Sequence, residues 1–281
     1  MATDISGSHP RNYVTDVGLV AWQSVTRLVR APSHSRCAEA RRALARRWLG
    51  LAVLTAFTIG ILMVAADVAT IKLMPARGTA SLWPLRWFTE LGKSTYVLWA
   101  LAGGLIVILL MLPRLAGISR QALIAFGVRV QYIFFSVLTA VLCAEFLKYI
   151  IGRSRPFVGG EANAFYFSHF AGNPAFESLP SGHATTAFAL AFAVSAVWRK
   201  TTLVMLVYAV LICISRVILL AHHPSDVVGG ALTGVVCAMF VRYWFAARRL
   251  GFSIGRDGSI EPLAGPSGAS LKRVARQALA P

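Results

Sequence analysis

Six long apolar stretches restrict what this chain can fold into. They run over about Trp48–Ile71, Tyr96–Leu112, Val130–Ile151, Ser181–Trp198, Leu203–Ala221 and Val227–Phe245. In lipid a backbone must satisfy its own hydrogen bonds, so stretches of this kind become helices. At 1.5 Å per residue, about 20 residues cross the hydrocarbon core, and the second and fourth stretches fall slightly short. Short connections between consecutive spans predict an all-α fold, an antiparallel bundle of six transmembrane helices. Composition points the same way, with 57% hydrophobic and only 14% charged residues. Ordinary globular proteins carry about a quarter charged residues. Disorder is excluded for most of the chain, because there is ample apolar surface to offset ordering. A disulfide scaffold is excluded as well. Cys143, Cys213 and Cys237 sit inside apolar runs, Cys37 in a basic one, and no metal-type spacing joins them.

The net charge of +17 gathers at the two ends. Residues 1–47 hold arginines at 11, 27, 30, 36, 41, 42, 46 and 47, and the last span is followed by Arg248, Arg249, Arg256, Lys272, Arg273 and Arg276. Basic flanks beside spans orient a membrane protein and attract anionic head groups, so both termini are expected in the cytoplasm of a cell (inner) membrane. Nucleic acid is not an expected partner, since neither flank shows a folded basic surface. Met1 to Arg11 has no apolar core and does not read as a secretory signal. Val17, Val20, Ala21, Ser24, Val25 and Leu28 recur at helical spacing beside Arg27 and Arg30. Two readings stay open there, a helix on the membrane surface and a weakly ordered leader. The expected organisation is therefore a basic cytoplasmic segment over 1–47, a six-span domain over 48–246, and a flexible basic tail over 247–281.

With an even number of spans, the connections after the third and fifth lie on the outer face. Nearly all the unusual polar residues fall there, in three clusters. Lys148, Arg155 and Pro156 mark where span three leaves the membrane. Pro180, Ser181, Gly182 and His183 mark where span four enters. Ser215, Arg216, His222 and Asp226 bridge spans five and six. A lone cation at a helix end is usually a snorkelling anchor, and a lone Ser-Gly is often just a cap. Three cations and two histidines on one face are different, because uncompensated like charges are costly to bury. They call for an anion, and a phosphate fits.

Lys148, Arg155 and Arg216 would supply the charge, arginine's planar fork matching phosphoryl oxygens. Ser181 would cap span four, leaving the amides of Gly182 and His183 at the positive helix end. Phosphoryl transfer asks chiefly for such positioning and charge stabilisation. His222 would attack phosphorus, with Asp226 folded back onto its other ring nitrogen to fix the tautomer. His183 would protonate the leaving oxygen and later activate water.

The three clusters resemble the signature of the type 2 phosphatidic acid phosphatase (PAP2) superfamily: K-x6-R-P, P-S-G-H and S-R-x5-H-x3-D. Every part matches, over Lys148 to Arg155-Pro156, Pro180 to His183, and Ser215-Arg216 to His222 and Asp226. The resemblance covers roughly residues 50 to 246. It implies a six-helix PAP2/haloperoxidase-like core and a lipid phosphatase that needs no metal or other cofactor and works through a phosphohistidine. His222, Asp226 and His183 would be catalytic. Lys148, Arg155, Ser181, Gly182 and Arg216 would hold the phosphate. The soluble vanadium haloperoxidases of the same family are set aside by the six spans.

The expected substrate is a lipid phosphomonoester or pyrophosphate in the bilayer, of the undecaprenyl pyrophosphate, phosphatidylglycerophosphate, phosphatidate or lipid A 1-phosphate type. A phosphotransferase using a polyprenyl pyrophosphate donor shares the same chemistry. A transporter of anionic solute would instead place cations near the membrane midplane. Oligomeric state is not legible. Glu145, one turn before Lys148, suggests an ion pair. Arg153 reads as a head-group anchor or a contact to a second phosphate. His169 and His223 fall off the signature, and the segment from Trp87 to Ser94 reads as a lipid entrance or a helix cap.

Overall fold

The computed structural model describes residues 12–279. Residues 1–11, with Arg11 and the stretch read as carrying no secretory signal, lie outside them. Ten helices and one hairpin follow in order: α1 (Tyr13–Val29), α2 (Cys37–Ala65), α3 (Asp67–Leu73), α4 (Trp83–Thr89), α5 (Ser94–Met111), α6 (Gly117–Ile151), α7 (Gly182–Val197), α8 (Thr202–Ile218), α9 (Pro224–Ala247), β1 (Phe252–Ile254), β2 (Ile260–Pro262) and α10 (Gly268–Leu279). The chain is a multi-pass membrane protein.

Five helices are long and apolar enough to cross a bilayer: α2, α5, α6, α8 and α9. The fourth expected span, α7, is apolar but has only 16 residues. That is about 24 Å of helix against a hydrocarbon core of about 30 Å. Of the six expected spans, five are therefore long enough to cross, and the fourth, already short in sequence, is this 16-residue helix. It lies inside the bundle, packed against α6, α8 and α9.

Small residues make the packing close. Ala184, Ala187, Ala189 and Ala193 of α7 are all fully buried. On α9, a Cβ at Gly230 would fall 2.5 Å from the Ser181 carbonyl oxygen, and one at Gly234 would fall 2.4 Å from that of Thr185. The two backbones touch across this glycine pair, as small residues four apart allow in membranes. This contact sets the start of α7 against the start of α9. The same end of the bundle holds the end of α6, where Gly152 takes a left-handed conformation (φ +60°) and its N–H bonds the Lys148 carbonyl. A Cβ there would meet the Ser168 carbonyl oxygen at 1.9 Å, so only glycine fits.

Two helices begin more than ten residues before their apolar runs, α2 at Cys37 and α6 at Gly117. The alanine- and arginine-rich flank of α2 is itself a good helix former. The tail also departs from expectation. It was read as flexible, yet β1 and β2 pair antiparallel, with Ile254 opposite Ile260. Phe252 packs edge-on against Tyr132 of α6, ring centroids 4.8 Å apart. Buried Arg129 donates to the Leu263 carbonyl at 2.7 Å, and Val274 of α10 is 4% exposed. Burial of Phe252, Ile254 and Ile260 outweighs the polar composition that suggested disorder.

Candidate active site

The end of α6, the start of α7, the end of α8 and the start of α9 share one end of the bundle, and the three sequence clusters meet there. The Ser181 amide donates to the Asp226 carbonyl at 2.9 Å, joining the second cluster to the third. A Cβ placed on Gly182 would sit 3.3 Å from Nζ of Lys148, which joins the first to the second. Lys148 also pairs with Glu145 at 2.6 Å, as the one-turn spacing suggested. Arg155 donates from Nε to the Pro174 carbonyl at 2.9 Å, and its amide to Ala175 at 2.8 Å. The connection between α6 and α7 is thus stitched to itself and holds Arg155 at its edge. Arg216 donates from Nη1 to Thr89 Oγ1 at 3.2 Å.

Several buried polar atoms at this end have no protein partner: Ser181 Oγ, His183 Nε2 and Arg216 Nε. They come from two different helix ends, and buried donors left unpaired are rare in folded proteins. Ser181 occupies the N-cap of α7, but its hydroxyl makes no capping bond. That hydroxyl and the first amides of α7 remain available to an anion.

His222 is 3% exposed, and its Nδ1 lies 2.9 Å from the Ser178 carbonyl. A carbonyl only accepts, so Nδ1 carries the proton and a neutral ring keeps its lone pair on Nε2. Burial holds this imidazole well below the ordinary histidine pKa. Asp226 opposes that shift, while the charges of Arg216, Arg155 and Lys148 reinforce it.

The expectation that Asp226 bonds His222 directly is corrected. Its Oδ2 stands 3.9 Å from His222 Nδ1, beyond hydrogen-bond distance. Asp226 instead accepts from Arg153 Nη1 at 2.6 Å, Ser178 Oγ at 2.5 Å and the His223 amide at 2.8 Å. His223 caps α9 through this carboxylate, its Nδ1 lying 3.2 Å away. The reason is local: with Pro224 at the first helical position, Asp226 is at N3, where a carboxylate reaches back to the cap residue and not to the one before it.

Arg153 is the residue that sequence reasoning placed wrongly. It is neither an anchor nor a substrate contact but wholly buried, bridging Asp226 and Asp67, the latter at 2.7 Å. Asp67, at the start of α3, also accepts from the Ser225 amide at 3.0 Å. Nothing in sequence spacing links positions 67, 153 and 226. Thr89 was passed over too. It is 3% exposed, and its hydroxyl accepts from Arg216 and lies 3.0 Å from that of Ser215.

Residues 129–250, which contain all three clusters, match the family model described as the PAP2 superfamily. That segment is similar to the PAP2 superfamily. Two curated relatives carry the name lipid A 1-phosphatase. The one from Rhizobium johnstonii is 36% identical over 127 residues, covering 45% of this chain and 52% of the relative. The one from Rhizobium etli is 35% identical over the same length, covering 45% and 55%. The chain thus spans about half the length of the curated relatives it matches. Among solved structures, a transmembrane PAP2 type phosphatidylglycerolphosphate phosphatase from Bacillus subtilis is similar at 20% identity with a TM-score of 0.43, covering 69% of this chain and 94% of that one. The matched segment runs from Arg129, within α6, to just past α9 and leaves α1 to α5 outside it.

Proposed function

We propose that this protein is an integral-membrane lipid phosphatase that hydrolyses a lipid phosphomonoester or pyrophosphate through a phosphohistidine on His222. The observation that carries the reading is the Ser178 carbonyl at 2.9 Å from His222 Nδ1, which leaves Nε2 as the nucleophilic atom. Nε2 attacks phosphorus, the bond from phosphorus to the lipid oxygen breaks, and that oxygen takes a proton from His183. Water then attacks the phosphohistidine while His183 removes its proton, and the P–N bond breaks to release phosphate. Lys148, Arg155, Arg216, Ser181 and the amides of Gly182 and His183 hold the equatorial oxygens. Asp226 acts on His222 through its charge and by holding the turn at His223, so it is a positioning residue.

The relatives named lipid A 1-phosphatase favour a lipid A-type phosphate among the head groups considered. The basic flanks favour cytoplasmic termini in the inner membrane, with the site on the outer face. A His222→Ala variant, purified in detergent and folded by circular dichroism, is expected to lose at least about a thousandfold in phosphate release. Wild-type protein given labelled substrate and quenched should carry acid-labile, base-stable phosphate. A variant retaining more than about a hundredth of the activity overturns the assignment. Label appearing in a second lipid and not as free phosphate would identify transfer in place of hydrolysis.

A further inference from the structure

Each charge in the buried group around Arg153 has an ionic partner, but the count does not balance. Arg153 pairs with Asp226 at 2.6 Å and with Asp67 at 2.7 Å, and all three side chains are fully buried. Among the described residues, no other lysine or arginine lies within 4.0 Å of either carboxylate. His223 does not make up the difference, although its Nδ1 lies 3.2 Å from Asp226 Oδ2. Its buried Nε2 has no protein partner, and a second proton would strand an N–H there. Two carboxylates and one guanidinium therefore leave one net negative charge in a water-free place.

Asp67 is the second carboxylate, and it comes from α3, outside the matched residues 129–250. An acidic residue in the first turn of a helix ordinarily serves the amides of that helix. The side-chain hydrogen bonds of Asp67 all run elsewhere, to Arg153 Nη2, the Ser225 amide at 3.0 Å and the Ser225 hydroxyl. The unbalanced charge also sits beside a ring that must become positive. Asp226 Oδ2 stands 3.9 Å from His222 Nδ1, and Ser178 bridges the two, its hydroxyl donating to the carboxylate and its carbonyl accepting from the ring. Once Nε2 bonds to phosphorus, Nδ1 keeps its proton, so the ring is cationic until water breaks the P–N bond. Arg216, Arg155 and Lys148 all disfavour that charge, and Asp226 opposes them. Paired with Arg153 alone, Asp226 would be cancelled and could oppose nothing.

Resting on the phosphatase reading above, we propose that Asp67 is a positioning residue for the reaction: it takes up the charge of Arg153 and so leaves Asp226 free to steady the cationic ring of the phosphohistidine. Arg153 fixes where the Asp226 carboxylate lies, and Asp67 keeps that fixing from neutralising it. The charge is held in place before the reaction begins, so nothing need reorganise as the ring becomes positive.

The test uses the full chain in detergent micelles, with the lipid phosphate that the wild type hydrolyses fastest. Asp67→Asn should lower kcat at least about tenfold, while inorganic phosphate, titrated by calorimetry, binds within about twofold of wild type. Adding Arg153→Gln to Asp67→Asn removes one charge of each sign and restores the net negative charge. The double variant should therefore turn over at least about threefold faster than Asp67→Asn. A residue that served packing or hydrogen bonding alone would make the double variant slower still. An Asp67→Asn protein that keeps more than about a third of wild-type kcat, or a double variant no faster than the single one, overturns the proposal. Should Asp67→Asn fail to fold, the double variant must fold and keep more than about a hundredth of wild-type kcat. Failure of both to fold would make Asp67 part of the frame alone and overturn its role in the reaction. A wild-type protein that releases phosphate from no lipid would count against the phosphatase reading itself, whereas an active wild type indifferent to Asp67→Asn overturns only this role.

Discussion

Arg153 and Arg155 stand two residues apart on one connection, and the fold treats them in opposite ways. Arg153 is fully buried, with carboxylates at 2.6 and 2.7 Å and the Ala164 carbonyl at 2.8 Å. Arg155 is half-buried and bonds only a backbone carbonyl through its side chain. Around the first lies a closed cluster of Asp67, Ser178, Ser225 and Asp226, its charges answered within the protein. Around the second lie Lys148, Arg216 and His183, with donors left over. The contrast separates two kinds of buried polarity, one whose partners are built in and one whose partner must arrive. Only the second can report on a ligand.

Removing Arg153 should therefore be felt as lost stability. An Arg153→Leu change leaves two carboxylates unanswered and is expected to cost about 3–5 kcal/mol. Thermal unfolding in micelles would read this, and a midpoint within about 2 °C of wild type would break the comparison. An Arg155→Ala change should do the reverse, lowering kcat/KM by about 10²–10³ with the unfolding midpoint little altered. If its activity loss merely followed a loss of stability, the two arginines would be alike after all.

A pH series sharpens the contrast at its boundary, where His222 lies. Its folded pKa is depressed by burial, so below the unfolded value of about 6.5 the unfolded chain binds a proton that the native ring refuses. Stability should be fully present above that pH and decline as pH falls beneath it, by up to about 1.4 kcal/mol per pH unit. The slope between pH 7 and 5 should flatten in His222→Gln, and identical slopes would sink the account. The smallest effect is expected at Thr89, which steadies Arg216 without being charged. Thr89→Val should cost about 1 kcal/mol, seen as a fall of about fivefold in kcat/KM.

Much of this was legible in sequence because the open cluster is written in short, regular spacings. Lys148 and Arg155, Ser181 to His183, and Arg216 to Asp226 each fall on a helix end, and the apolar runs between them fix which ends share a face. The closed cluster was not legible. Asp67 meets Arg153 across 86 positions, a pairing that only the packed bundle specifies. Asp226 was assigned to the wrong neighbour because a carboxylate in the first turn of a helix folds back, but from N3 it reaches the cap residue His223 and stops short of His222. The glycine contact between α7 and α9 also went unread, though Gly230 and Gly234 sit at the interval where close helices need it. The hairpin did carry a signal that composition masked. Asp257-Gly258 separates Phe252 and Ile254 from Ile260, an alternation around a turn pair.

Ser178 and Ser181 belong to the same four-residue run of chain. The carbonyl of the first orients the His222 ring, and the second opens the helix whose leading amides would grip the phosphate. One short stretch of chain thus sets both the ring's orientation and the start of α7, so a change that displaces the run would disturb the two together.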